Sequence, residues 1–256
     1  MGTGRFVKVA SLLLCAACGS VTSAGSSNVE TDGSGGTSAA SGGSSGGSGG
    51  GVVVKSPGLV DDFEDLDLIN SFGGKNAVYH DDLMPPSSIA LDLTVAGSTL
   101  PGGSPKAAAR ISGVMQANVG PQYPFCLFEL PLNAPAGLNI NARAPMRQLT
   151  FSYRAGPASV GMVHRVTLTE QPQPRPSGDY GWFIWSFTPT DLSWHKVSVH
   201  FPGYTGTEPV LTQSYGVPVS WEAYSSQRIY SVTFMTFSGP SEPQKFDLAI
   251  DDVMFE

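Results

Sequence analysis

Cysteine is scarce in this chain. Of three, Cys15 and Cys18 fall at its head, and Cys126 stands alone in the rest. No disulfide therefore staples the body of the protein, and no Cys-x-x-Cys pair lies there to hold zinc. Cys126, flanked by Phe125, Leu127 and Phe128, reads as a buried, inert thiol. Positive charge is sparse as well. With 14 Lys and Arg against 21 Asp and Glu, the net charge is −7 and the pI about 5.0. That balance argues against a nucleic-acid partner or an anionic-membrane surface. No apolar run reaches the roughly 20 residues that a transmembrane helix needs. Helical periodicity is nearly absent, and no internal repeat is visible. Histidine offers no metal site: His195 and His200 are five apart on one strand and point to opposite faces. His164, alone in a strand, reads as a partly exposed surface residue.

What is present divides the chain into three parts. Residues 1–17 have the layout of a secretory signal, with Arg5 and Lys8 ahead of a short apolar run from Val9 to Ala17. The run ends in Leu14-Cys15-Ala16-Ala17-Cys18-Gly19-Ser20, which resembles a bacterial lipobox with Cys15 where Leu is usual. That makes Cys18 the expected lipidation site, the alternative being an ordinary cleaved signal. Residues 18–57 are almost entirely Gly, Ser, Thr and Ala, a composition that cannot form a core and reads as a disordered tether. A tether of roughly 40 residues has a root-mean-square reach of roughly 35 Å. The order is anchor, leash, domain. Similarity to known lipoproteins, with Gly19 giving no inner-membrane retention signal, implies export across the inner membrane. It places the anchor at the outer membrane or cell surface.

Residues 58–256 have the size of a single β domain. Gly and Pro punctuate them every ten or so residues, between short runs of β-formers. Strands are expected at Leu59–Glu64, Ile89–Val95, Ala107–Val114, Phe125–Pro131, Gln148–Tyr153, Val163–Thr169, Tyr180–Phe187, His195–Phe201, Tyr230–Phe237 and Phe246–Phe255. Asn133–Pro145 and Tyr204–Tyr224 read as long connections. About ten antiparallel strands in one domain imply two packed sheets, an all-β sandwich of jelly-roll type.

The domain opens and closes on acids. Asp61-Asp62-Phe63-Glu64-Asp65 begins it and Asp247, Asp251, Asp252 and Glu256 end it. If the first and last strands lie side by side, these carboxylates crowd, and like charges at a few ångströms need neutralising. A hard cation with oxygen ligands, Ca2+, would do so, with Glu64, Asp62, Asp252 and Asp251 as candidate ligands. The alternative is that the acids sit on solvated edges and repel further strand pairing.

The richest aromatic run is Tyr180-Gly181-Trp182-Phe183-Ile184-Trp185-Ser186-Phe187. By alternation Phe183, Trp185 and Phe187 take the core face, leaving Tyr180 and Trp182 on the other. Flat aromatic faces stack on sugar rings and planar polar groups bond their hydroxyls. Tyr180 and Trp182 are thus candidate platform residues, set against plain packing. Trp221 and Tyr224, in a polar connection, either contact a ligand or plug the sandwich edge. Tyr153 and Arg154 occupy opposite faces of one strand, so only one can line a groove. Tyr79 with Asp81 and Asp82 forms an alternative loop cluster. Trp194 reads as structural.

Several segments together carry a family resemblance. Asp61-Asp62-Phe63-Glu64-Asp65, Asn70-Ser71-Phe72-Gly73-Gly74 and Tyr79-His80-Asp81-Asp82 resemble the opening of family 11-like carbohydrate-binding modules. Leu149-Thr150-Phe151-Ser152-Tyr153, Ser193-Trp194-His195-Lys196-Val197 and Ile250-Asp251-Asp252-Val253 are similar to their central and closing strands. The resemblance implies a galactose-binding-like jelly roll, non-catalytic binding of β-glucan-type polysaccharide, and structural calcium near the chain ends. One departure bears on binding: Lys75-Asn76-Ala77 stands where such modules often carry an aromatic residue.

The expectation is therefore a monomeric, lipid-anchored module whose partner is a polysaccharide. A structural or adhesion lipoprotein without glycan binding is the first alternative. A polysaccharide-degrading enzyme is the second, but glycosidases need two carboxyl groups at fixed separation. Glu129, Glu170, Glu208 and Glu222 are scattered, and nothing in the sequence pairs any two.

Overall fold

The computed structural model describes residues 58–103, 105–118, 124–132, 146–170, 182–215, 221, 229–237 and 241–256. Twelve strands make up this part of the chain: β1 (Leu59–Asp61), β2 (Ala77–His80), β3 (Ser88–Val95), β4 (Ala108–Met115), β5 (Phe125–Pro131), β6 (Gln148–Ala155), β7 (His164–Glu170), β8 (Trp182–Phe187), β9 (His195–His200), β10 (Thr212–Tyr215), β11 (Ile229–Phe237) and β12 (Gln244–Phe255). They form two antiparallel sheets. Sheet I runs β3-β4-β12-β6-β9, with β1 paired to β12, and sheet II runs β10-β8-β7-β11-β5-β2. The β-sandwich expected from the strand pattern is thus the observed architecture. Two strands exceed the expectation. β2 follows the Gly73-Gly74 turn, and β10 lies inside the segment expected to be a plain connection.

The inner faces interlock through aromatic side chains. Phe151 of sheet I meets Phe234 of sheet II edge-on at 5.0 Å and Phe187 at 5.9 Å. Phe128, Phe151, Phe234, Ile111, Leu130 and Leu149 are fully buried. Truncating any one of these aromatics to Ala costs about 3–5 kcal/mol through lost transfer energy and the cavity left behind.

The first and last strands do pair, with Leu59 opposite Met254 and Asp61 opposite Val253. Gly58 O accepts the Phe255 N–H at 2.8 Å. β12 is irregular where it carries its acids: its register with β6 shifts between Asp251 and Met254, and Asp252 has a φ of 50°. A bulge of this kind re-aims side chains out of strict alternation. Both Asp251 and Asp252 accordingly lie buried.

His164 departs from expectation. It shares a face with Val166 and Leu168 and is 1% exposed, its Nδ1 3.0 Å from Thr236 Oγ1. Burial pushes its pKa down to about 4. The two-residue period placed it inward, and its polarity alone had suggested the surface. Cys126 is fully buried as expected, and burial pushes its thiol up to about 12.

Candidate functional site

The outer face of sheet II is assembled by register. Val232 and Phe234 of β11, Phe128 and Leu130 of β5, Val166 and Leu168 of β7 and Phe183 of β8 point into the core. Their alternates point away. Across the strands these alternates line up in rows. Trp182, Thr169, Ser231 and Pro131 form one, and Ile184, Thr167, Thr233, Glu129 and Ala77 the next. Ser186, Arg165, Met235, Leu127 and Tyr79 form a third.

The centre of this face is polar and tightly bonded. Thr167, Ser231 and Thr233 are buried although they face outward. Thr169 Oγ1 bonds Ser231 Oγ, which lies 3.4 Å from Thr233 Oγ1. The Glu129 carboxylate is hydrogen-bonded by Ser231 and Tyr79, and burial nonetheless raises its pKa. Burial also raises the Tyr79 pKa, with Glu129 and Tyr230 adding to it. This hydroxyl layer holds Glu129 in place beneath a rim of larger groups. At the rim, Tyr79 is 43% exposed on β2 and Trp182 is half-buried on β8. They stand four strands apart, roughly 19 Å across the strands at about 4.8 Å per strand, and are offset by two rows along them.

The sequence-selected aromatics are therefore divided. Trp182 and Tyr79 share one face. Tyr79 lies in a strand, while Asp81, expected beside it as a loop cluster, is buried and accepts the N–H groups of Leu83, Ser87 and Phe125. Its carboxylate clamps the turn into β3. Tyr153 is a correction: it is 8% exposed, packed on Phe187 at 4.7 Å and stacked with His195 at 5.3 Å, and so belongs to the core. Trp221 packs on Phe183 at 5.0 Å and Phe201 at 4.8 Å, which is the edge-plugging arrangement. Trp194 is buried, as its structural reading required. Tyr180, Tyr224 and the lipidation candidate Cys18 lie outside the described residues, as does the connection Asn133–Pro145. Glu129 and Arg165 were missed as face residues. Only the strand order reveals that they flank one another's rows.

The missing aromatic at Lys75-Asn76 also has an explanation. Asn76 is 2% exposed, donates to Asp61 Oδ2 at 2.7 Å and accepts from Asn70 Nδ2 at 3.0 Å. Ahead of it, Gly74 is held against β5: a Cβ there would lie 2.0 Å from Pro131 O. The segment is pinned inward.

The acidic pole forms around the β12 bulge. Asp251 is fully buried; burial first, then Asp252, push its carboxyl up to about 8, with Glu64 adding to the repulsion. Asp251 Oδ2 accepts the Ser98 N–H at 2.6 Å, and Glu64 Oε1 accepts the Lys106 and Ala107 N–H groups at 2.8 and 3.4 Å. Asp62 turns back on its own segment, accepting the Glu64 N–H at 3.5 Å. Gly103 lets the neighbouring turn close on this pole: a Cβ there would sit 3.0 Å from Asp252 Oδ2 and 2.7 Å from Ser98 Oγ. An oxygen-only set in a glycine-lined cradle fits a hard cation by its chemistry. Among the described residues no group of three or more His, Cys, Asp or Glu side chains already converges as a metal cage. A cation here would need backbone carbonyls or water to complete its shell.

Neither a protein-family model nor a curated protein sequence matches the chain. Solved structures do. A family 11 carbohydrate-binding module from Clostridium thermocellum, in complex with a β-1,3-1,4-mixed-linked tetrasaccharide, is 12% identical, with a TM-score of 0.48 over 77% of this chain and 94% of that one. A family 30 carbohydrate-binding module is 12% identical, with a TM-score of 0.44 over 72% of this chain and 91% of that one. An exo-β-agarase is 11% identical at a TM-score of 0.48, this chain covering 25% of its length. Similar folds host unrelated functions, so function has to come from the residues of the site.

Proposed function

We propose that the domain binds carbohydrate without cleaving it, on the outer face of sheet II. The observation that supports this is the placement of Trp182 and Tyr79 on one face, with Glu129 in the row between them and Arg165 in the row of Tyr79. Aromatic planes stack on sugar faces, while a carboxylate and a guanidinium take the hydroxyls. The span from Trp182 to Tyr79 suits a chain better than a single sugar. β-Glucan-type polysaccharide is the proposed class, from the family resemblance of the opening, central and closing segments. Ca2+ held by Asp251, Asp252 and Glu64, with Asp62 nearby, would stabilise the fold at a distance from the sugar. Lipidation at Cys18 would anchor the module at the outer membrane or cell surface, with the Gly/Ser tether giving it reach.

A glycan array probed with the purified full chain in calcium buffer tests the reading. Binding to β-glucans that weakens on Tyr79→Ala or Glu129→Gln supports it. Silence across the array would transfer the domain to the structural or adhesion class. Cleavage products would move it to the enzymes.

A further inference from the structure

A second recess lies on the opposite side of the sandwich, on the outer face of sheet I. One ladder row there reads Asp92, Arg110, Ala249, Arg154 across β3, β4, β12 and β6. Ala249, the small member, lies between the two arginines, buried in one cluster with Trp194. Ala249 and both arginines line a cleft of about 290 Å3, walled by Val95, Pro157, Leu192 and Asp247. Gly156 keeps that wall open: a Cβ there would lie 2.5 Å from the Asp247 carboxylate.

The two arginines are in different states. Arg110 grips Asp247 with two bonds, Nε to Oδ1 at 2.8 Å and Nη2 to Oδ2 at 2.5 Å. Asp92 is turned onto the N–H and hydroxyl of Thr94. Nearby Asp191 bonds the Ser193 N–H and His195 Nε2. Arg154 has no carboxylate or carbonyl partner among the described residues. Its guanidinium lies 5.0 Å from the centroid of the buried Trp194 ring. Stacking on an indole holds the planar fork in one orientation while leaving its N–H donors unused. Beside it, Leu192 is 53% exposed at the rim. The cleft thus pairs a pre-oriented, unsatisfied fork with an apolar wall, in a protein whose net charge is −7.

From this geometry we infer that the cleft is a binding site for a carboxylate-bearing sugar, a hexuronate. Its carboxylate docks on the Arg154 fork and its C–H face lies against Leu192 and Val95. A carboxylate matches the guanidinium in two parallel bonds, which a neutral hydroxyl does not. The site is independent of the sheet II reading, since it lies on the other sheet and uses none of its residues. A free hexuronate and a uronate unit within a polysaccharide share this chemistry.

Titration of the full chain with sodium glucuronate, followed by NMR at the Arg154 Nε–H, tests the inference. The resonance is expected to shift with glucuronate and not with glucose at equal concentration. Arg154→Gln should weaken binding roughly tenfold or more, the worth of a charged hydrogen-bond pair. Leu192→Asp, at an exposed position, places a competing carboxylate at the rim and should weaken it likewise; Met84→Ala, exposed and outside the cleft lining, should not. Retention on a polyuronate that is lost when its carboxyls are reduced to alcohols identifies a chain as the source. Response to free glucuronate alone identifies a small molecule. No response to glucuronate, an equal response to glucose or to acetate, or binding unmoved by both sheet I variants would overturn the site.

Discussion

Asn76 donates through Nδ2 to Asp61 Oδ2 at 2.7 Å, with both side chains buried. The same Asn76 accepts from Asn70, whose Nδ2 also donates to Pro131 O at 2.8 Å. One chain of amides thus ties the opening strand of sheet I to β5 of sheet II. Burial raises the Asp61 carboxyl to about 6 despite these partners. Asn76→Leu would strand both the carboxyl and the Asn70 amide, and should cost about 2–3 kcal/mol. Urea unfolding should show a lower midpoint at an unchanged slope. A loss under about 0.5 kcal/mol, the ordinary scatter of surface changes, would contradict the tie.

His164 should set an acid limit. Its folded pKa, about 4, lies below the ordinary 6.5, so the neutral ring is the form the fold accepts. Its contribution is complete above pH 6.5 and is lost as pH falls from there through 4. The gap corresponds to about 3 kcal/mol. His164→Gln retains a partner for Thr236 and removes the titration. Its stability profile from pH 6.5 to 4 should be flatter than wild type. Parallel profiles would exclude His164 as the cause.

Calcium should raise the melting temperature and chelator lower it. A ligand bound only by the folded state at a hundred times its Kd adds about 2.7 kcal/mol. Asp251→Asn separates this from general salt effects. In chelator at neutral pH the variant should melt above wild type, because the cost of burying the Asp251 carboxyl, added to by Asp252 and Glu64, is gone; it should also fail to respond to calcium. A variant less stable than wild type in chelator, or one that keeps the calcium shift, would remove Asp251 from the site.

On sheet II, Tyr79→Ala should lower glycan affinity roughly tenfold or more, as truncated aromatic anchors do, with little change in melting. The exposed position of Tyr79 separates binding from folding. Isothermal titration with the best array ligand reads the change. Unaltered affinity would move the platform off β2.

Much of the fold was legible because alternation and turn residues are local. The inward set Phe183 and Phe187 and the outward Trp182 followed from period two along β8. The pairing of β1 with β12 was only a condition in the sequence, on which crowding of the terminal acids depended, and the register of the two strands supplies it. Strand order is not local. Nothing in the sequence says that Glu129 of β5 lies across from Thr233 of β11, or that Tyr79 and Trp182 look out over one sheet. Residue chemistry also misled where tertiary context won. Strand alternation made Tyr153 a groove candidate and its neighbours made Asp81 part of a loop cluster, yet one packs as a ring and the other clamps backbone amides. His164 was placed by polarity against its own strand pattern.

The hydrogen bond from Phe255 to Gly58 brings the two ends of the sandwich to one spot. A host polypeptide could therefore enter and leave the module at a single point, so the unit is suited to insertion within a surface loop of a larger protein. Joining Gly58 to Glu256 by a short bridge and reopening the domain at an exposed turn should likewise yield a circular permutant with both sheets intact.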